Sequence, residues 1–413
     1  MLDINKIRDD KDKIEIALLK RMAKDKFDLD QIIKLDDQRK AVISLMDEMK
    51  AKRNMGSKVK PDAETISKMK ELGSNIKKQE TDLDKITEDL NKLLGALPNI
   101  VADEVVAGGK ENNKVIDTFG KSPEFDFEPK DHMQLAKDLN IIDYERAAKM
   151  SGAGFWLYKG LGAELEWALL NYFIAYHRQN KYTFIWPPYL LTEQSAFISG
   201  HLPKFRNDLF WTEDKLCLNA TSEMMLGNYH RDEILDENQL PLKYYAYSTC
   251  FRREAGSYGA GERGMIRGHQ FNKVEMFQFT HPQDSWRAMD ELTKHAKKLV
   301  EGLGLHFNTV QLAAEDCSAA MAKTIDLEVF IPSMKGYKEV SSISNALDYQ
   351  ARRGNIRYKD TKTGKNEYLH TLNASGLATS RLIPAILEQF QQKDGSVKIP
   401  KALKKYCGFK VIK

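Results

Sequence analysis

The sequence predicts an α+β protein in two unlike parts, a helical hairpin followed by a globular domain built on an antiparallel sheet. Three observations carry this. Through the first hundred residues apolar side chains recur at alternating three- and four-residue spacings, with almost no aromatic residues and proline only at 61 and 98. From about residue 111 the composition turns globular and strand-length runs rich in aromatic and β-branched residues appear. Those runs read as hairpin-connected strands with helices beside them, the pattern of an antiparallel sheet.

In the first part, Ile32, Leu35, Arg39, Val42, Met46 and Met49 form one seam. Met69, Leu72, Ile76, Gln79, Leu83, Ile86, Leu90, Leu93 and Leu97 form another, with one polar member. The stretch "AKRNMGSKVKPDAE" between them holds a glycine, a proline and a turn, so the simplest structure is an antiparallel pair of helices. At about 30 residues each they would be about 45 Å long. Lys50, Lys52, Arg53, Lys58 and Lys60 fall at the tip with no acid among them. This is either a solvated helix end or a phosphate-binding tip on a projecting arm. Pro98 closes the second helix, and the arm is taken as residues 1–110, the globular domain as 111–413.

In the second part, "LEWALLNYFIAYHRQN" is an amphipathic helix with Leu165, Leu169, Tyr172 and Tyr176 on one face. "KYTFIWPPYLL" is a strand broken by Pro187 and Pro188, which suits an edge or an interface. Strands follow in "KYYAYSTCF", "KVEMFQFT", "IDLEVFIP" and "GYKEVSSISN", and a last helix in "SRLIPAILEQFQQ".

Composition narrows the function classes. The net charge of +4 is too small to argue for nucleic acid by itself. The four cysteines, 217, 250, 317 and 407, are not at metal-ligand spacing and suit a reducing compartment. The charged start does not read as a signal peptide, and no run approaches 18 apolar residues. The expectation is a cytoplasmic protein with no membrane span.

The densest chemistry lies in "FRREAGSYGAGERGMIRGHQFNKVEMF", residues 251–277. As a strand–loop–strand it would present Arg252 and Glu254 to one side of a sheet, with Glu275 on the returning strand facing the same side. Phe271 would begin that strand, where a ring can support a flat base. An arginine fork suits phosphate oxygens, and a carboxylate suits an amine or ammonium. The alternative is an exposed cross-strand salt-bridge network.

This stretch resembles motif 2 of class II aminoacyl-tRNA synthetases in the form found in seryl-tRNA synthetases. "FRREAG" and "RGMIRGHQFNKVE" carry the resemblance, and "GHLPKFRNDLF", "LNATSE", "YKEVSSISNALDYQARRGNIRYK" and "LHTLNASGLATSR" join it in the family order. The hairpin and the "LPNIVADEV" junction match as well, so essentially the whole chain is covered. The resemblance implies a class II catalytic domain with a tRNA-binding arm. The implied activity is ATP-dependent conversion of L-serine to seryl-adenylate and transfer to tRNA(Ser), with ATP and Mg2+ as cofactors. It also implies a homodimer through the "KYTFIWPPYLL" region, which resembles motif 1, and an arm that grips tRNA for the other subunit.

By the family's pattern Arg252 and Arg381 are the catalytic charge stabilisers. Arg252 holds the α-phosphate and the serine carboxylate. Arg381 reaches the γ-phosphate side and covers the adenine, whose other face stacks on Phe271. Arg253, Glu254, Gly268, Val340 and Ser341 belong to the same ATP site, and Glu339 and Ser342 hold the magnesium. Thr221, Ser222, Glu223, Glu275, Asn373 and Ser375 join Arg252 around serine, and the basic tip from Lys50 to Lys60 meets the tRNA. The chain departs from the pattern at Ser318, Ala320 and Met321, at "MMLGNYH", and at Ala374 and Ser380. These departures bear on the identity or rate of the amino acid rather than on the reaction type; for Met321 the readings are a narrowed or reshaped pocket and a harmless repacking of the neighbouring wall. The alternatives are a divergent paralogue that charges serine poorly or tolerates an inhibitor, and a non-catalytic tRNA-binding protein. A carrier-protein ligase is disfavoured, because such relatives lack the arm.

Overall fold

A computed structural model of the protein describes every residue except 57–62 and 256–263. It has two compact units, Met1–Ile100 and Val101–Lys413. The boundary expected near 110 thus falls ten residues earlier. Residues 101–110 belong to the second unit because their backbone pairs there: Ala102 N–H donates to the Ala322 carbonyl, and the Val106 and Gly108 carbonyls accept from Ala314 and Glu315.

The first unit contains the two long helices, α1 (Leu29–Gly56) and α2 (Ala63–Ala96). At 1.5 Å per residue they are about 42 and 51 Å long. Ile32, Leu35 and Met46 on α1 are buried, as are Ile76 and Leu90 on α2, while Gln79 is half-buried in the seam. The apolar packing is concentrated at the base, where Ile7, Leu18, Phe27 and Leu29 meet Leu90, Leu94 and Leu97. Toward the tip Met55 and Ile66 are exposed.

The base also buries a charge. Asp36 is fully buried, and Arg8, Arg39 and Lys40 all reach its carboxylate at 2.7–2.9 Å. Arg39, a polar intruder in the sequence seam, is therefore an ion-pair partner. Burial alone would raise the Asp36 pKa, but hydrogen bonds from Arg39, Lys40 and Arg8 outweigh it and hold it at about 2. A depressed carboxylate stabilises the fold above its unfolded pKa and loses that contribution as pH falls through the folded one. Asp36→Asn should therefore cost about 2 kcal/mol at neutral pH. The difference from wild type should shrink as pH falls from about 4 to about 2, read by hydrogen exchange along the base of α1.

The second unit is organised around a sheet of eight strands among the described residues. They are β1 (Lys114–Phe119), β2 (Thr183–Ile185), β3 (Leu242–Phe251), β4 (Gln270–Thr280), β5 (Phe307–Gln311), β6 (Lys323–Ile331), β7 (Gly336–Leu347) and β8 (His370–Ala378). Their order is β1-β5-β6-β7-β8-β4-β3-β2, antiparallel throughout except for β2, which joins β3 in parallel. The proline-broken segment forms an edge strand of this sheet before the prolines, Thr183–Ile185, and after them a second short strand, Leu190–Thr192, that pairs outside it.

Period-two alternation gives the sheet two unlike faces. Ile325, Leu327, Val340, Ile343, Leu372, Ala374, Val274 and Met276 point into the main core. There they meet α3 (Leu161–Gln179), α4 (Ser285–Leu303) and α5 (Thr379–Gln389). On α3, Leu165 and Leu169 are fully buried, and Tyr172 and Tyr176 pack partly buried against the same cluster. The other face carries the polar partners of these strands.

Candidate active site

The polar face is assembled by register. Glu275 on β4 lies opposite Ser375 on β8, Asn373 opposite Ser344 on β7, and Ser344 opposite Thr324 on β6. Ser342 lies opposite Asp326, and Phe271 and Lys273 share the side of Glu275. A bulge in β7 then shifts the register so that Glu339 faces Glu328. Without that extra residue Glu339, three positions from Ser342, would point into the core. A second bulge, between Ser375 and Ala378, separates the end of β8 from β4. Over this face lies a cavity of about 360 Å³.

The structure brings most of the expected residues to that cavity. Arg252, Glu254, Gly268, Phe271, Glu339, Ser342 and Arg381 line it, as do Thr221, Glu223, Asn373 and Ser375. The local geometry around Arg252 differs from the sequence expectation. β3 ends at Phe251, and Glu254 has a left-handed backbone (φ 49°), so Arg252 and Glu254 are loop residues rather than alternate residues of a strand. Arg252 is held by a hydrogen bond from its N–H to the His269 carbonyl and one from Nε to the Ala220 carbonyl. Its guanidinium lies 5.1 Å from the Phe271 ring centroid. Gly268 is required by closeness: a Cβ there would sit 2.2 Å from the Trp156 ring.

Five expected residues do not line the cavity. Arg253 is exposed, and its N–H donates to the Asp208 carbonyl. Ser222 is buried against the Ser248 hydroxyl. Val340 is in the core, and Ser341 turns its hydroxyl onto the Ser375 carbonyl. Glu275 is fully buried beneath the cavity, where it accepts from Asn373 Nδ2 at 3.1 Å and pairs with Lys273 Nζ at 2.6 Å.

Charges set the protonation of the site. Burial and the neighbouring Glu275 carboxylate push Glu223 up to about 7, against the pull of Lys273 and of Gln350, whose amide donates to it at 2.8 Å. Burial would raise Glu339, but Arg381, Arg252 and Lys273 hold it below its usual range. Arg381 Nη1 donates to its carbonyl at 2.7 Å and to its carboxylate at 3.2 Å. Asp326 is pushed up by burial and by Glu339.

Among the lining residues to which the sequence reading gave no role are Lys273, Asp326 and His201. The first two had a signal, since each shares strand parity with an acidic residue, Glu275 or Glu328. His201 lies in the quoted "GHLPKFRNDLF" segment, and burial with Arg252 and Lys273 nearby keeps it neutral, with a pKa of about 3. The departures sort by position. Ser318, Met321 and Ser380 line the cavity. Ala320 packs on Gly200, where an added Cβ would lie 2.5 Å from its own, and Ala374 faces the core. The methionines of "MMLGNYH" are buried in a small apolar cluster.

Residues 1–101 match the seryl-tRNA synthetase N-terminal domain, and residues 208–390 match the tRNA synthetase class II core domain (G, H, P, S and T). The serine–tRNA ligase 2 of Clostridium acetobutylicum is 52% identical over 99% of both chains. The chain belongs to the seryl-tRNA synthetase family. Its activity is the family's, serine–tRNA ligation. Another seryl-tRNA synthetase relative, the serine–tRNA ligase of Staphylococcus saprophyticus, is 44% identical over 100% of this chain and 99% of its own. The crystal structure of seryl-tRNA synthetase from Pyrococcus horikoshii, complexed with ATP, superposes with a TM-score of 0.92 at 33% identity, covering 100% of this chain and 99% of that one.

The elevated Glu223 pKa is directly checkable. In the free protein this carboxyl should titrate at about 7 by 13C NMR. Glu275→Gln removes the neighbouring negative charge and should move the titration toward the ordinary carboxylate value.

Proposed function

We propose that the cavity makes seryl-adenylate from L-serine and ATP. The carrying observation is the meeting of Arg252, Arg381 and Phe271 with the Glu223–Asn373–Ser375 group in one cavity. The ATP complex of the Pyrococcus relative supports the nucleotide half of this reading. A serine carboxylate oxygen attacks the α-phosphorus, a bond to that oxygen forms, and the bond to the pyrophosphate oxygen breaks. The nucleophile is already ionised at neutral pH, so the protein needs no general base. Its tasks are to position the reactants and to neutralise charge. Arg252 acts electrostatically on both Glu223 and Glu339, which supports its meeting both the serine carboxylate and the α-phosphate. Arg381 serves the distal phosphates and one face of the adenine, and Phe271 serves the other.

In the serine region, Glu223 offers charge to the ammonium, and Thr221, Asn373 and Ser375 offer polar partners. A site that bonds the hydroxyl rejects alanine because its own groups are left unpaired. The acidic face fits a hard divalent cation: Glu339, Ser342 and Asp326 converge there, and Asp326 Oδ1 is buried with no hydrogen-bond partner among the described residues. These three residues would hold Mg2+, which supplies neutralisation of phosphate charge when bound.

The arm is the tRNA-binding element in this reading. Lys52 and Arg53 are exposed, and Lys50 pairs with Glu80 of the facing helix at 3.3 Å, so part of its charge is already met. Lys58 and Lys60 lie outside the described residues. The protein acts as a homodimer through the free edge at β2, where Trp167, Phe184, Trp186 and Leu190 are exposed, and Tyr247 makes ring contacts with both tryptophans. Among the described residues no helix is long and apolar enough to cross a membrane, and the four free cysteines are buried, which supports a cytoplasmic setting. No observation favours a poor-charging paralogue or a non-catalytic binder.

Three experiments test this. Serine-dependent ATP–pyrophosphate exchange should be present, with alanine, threonine and cysteine as comparators. Arg252→Ala should lower it by about 10²–10³ in a folded protein, and near-normal exchange would remove the assigned role. Replacing residues 30–95 by a short linker should leave exchange nearly intact while aminoacylation of tRNA(Ser) falls steeply at low salt, with the gap to wild type narrowing as salt rises because the contacts removed are the salt-sensitive ones. Loss of exchange as well would make the arm a support of the catalytic fold. Finally, Trp186→Glu should convert the dimer to a monomer in light scattering, and an unchanged mass would move the interface elsewhere.

A further inference from the structure

We propose that His177 and His295 form a hydrogen-bond relay of fixed direction that positions the serine-binding end of β8 from the core side of the sheet. This makes His177 a positioning residue for serine, and the inference rests on the serine-pocket reading above. His177, on α3, is fully buried. Its Nε2 lies 2.8 Å from the Gly376 carbonyl oxygen, and its Nδ1 lies 3.0 Å from His295 Nε2 on α4.

The direction follows from what each atom can do. A carbonyl only accepts, so His177 Nε2 carries the hydrogen. A neutral imidazole has one N–H, so His177 Nδ1 is an acceptor and His295 Nε2 must donate to it. Both rings are neutral because burial lowers their pKa values, to about 4 for His177 and about 3 for His295, the latter helped by His177, Lys243 and Lys298. The chain therefore runs one way, from His295 through His177 to Gly376.

Its target is the weak point of the strand. Gly376 follows Ser375 inside the bulge where β8 and β4 lose register. A bulged residue is left without its ladder partner, so its carbonyl needs another donor, and His177 supplies it. The glycine is needed for that approach, since a Cβ there would lie 2.5 Å from His177 Nε2. On the near side of the bulge, the Ser375 carbonyl is held by Ser341. On the far side, the Thr379 hydroxyl donates to Glu166 at 2.6 Å. Glu166 and His177 are three turns apart on α3, so one face of one helix holds the strand after Ser375 and the start of α5. The pocket position of Ser375 is thus set from behind the sheet.

His177→Phe keeps a planar ring and removes both hydrogen bonds, whereas His177→Gln places an amide N–H where Nε2 stood. In pyrophosphate exchange the Phe variant should raise the KM for serine about tenfold, with the KM for ATP changed by less than about threefold. The Gln variant should return serine KM to within about threefold of wild type. Equal effects on serine and ATP, or Gln and Phe variants that behave alike, would overturn the proposal. In the wild-type protein, 15N NMR should show His177 and His295 each protonated at Nε2 and not at Nδ1. His177 protonated at Nδ1 would overturn the relay even if neither variant folds. Wild-type protein inactive with serine would instead sink the pocket reading, and the tautomers would still decide the relay.

Discussion

Lys273, which lines the candidate active site, and Glu275 beneath it are 2.6 Å apart on one strand face, and much of the site's electrostatics depends on them. The carboxylate raises the Glu223 pKa, while the ammonium opposes that rise and helps to hold Glu339 ionised and His201 neutral. Two buried opposite charges in one sheet are tolerable only with further partners. Asn373 provides one, and because its amide also reaches toward Glu223 it ties the two carboxylates into a single network. A polar network of this kind fixes side-chain positions before any ligand arrives, the condition for electrostatic stabilisation of a transition state.

That network sits where it does because an antiparallel sheet separates its two sets of side chains. The same strands that send Ile325, Leu327 and Ile343 into the core send Asp326, Glu328 and Ser342 to the cavity. Two bulges then adjust the pattern. One turns Glu339 onto the acidic face, and the other frees the end of β8 so that α5 can start with Arg381 against Glu339. Rigid packing on one face thereby carries preorganised charge on the other.

The arm solves a different physical problem. A two-helix seam has little core, so its stability is concentrated at the base, where the apolar cluster and the Asp36 ion-pair group lie together. The exposed cations of the tip cost little to keep solvated there, and they remain available for phosphate.

Several of these features were legible in the residues alone. The three-and-four spacing determined both long helices, because a helix seam needs only local periodicity. Strand alternation determined β3, β4, β6 and β7, and motif 2 with its companion segments determined the family and most of the cavity lining. Tertiary structure decided the rest. Arg252 and Glu254 are two apart in sequence, yet the strand stops before them, and the His269 and Ala220 carbonyls and the Phe271 ring hold the arginine. Ser222, Ser341 and Val340 stand beside cavity residues in sequence but face elsewhere, because a turn or a bulge changes which side each one takes. Residues 101–110 went to the second unit through backbone pairing with a segment two hundred positions away. The elevated Glu223 pKa and the His295–His177–Gly376 chain have no local signature at all, and strand parity places Lys273 without revealing its effect on Glu223 and Glu339. Each depends on burial and on distances between strands and helices that are remote in sequence, and those exist only once the sheet has closed over its core.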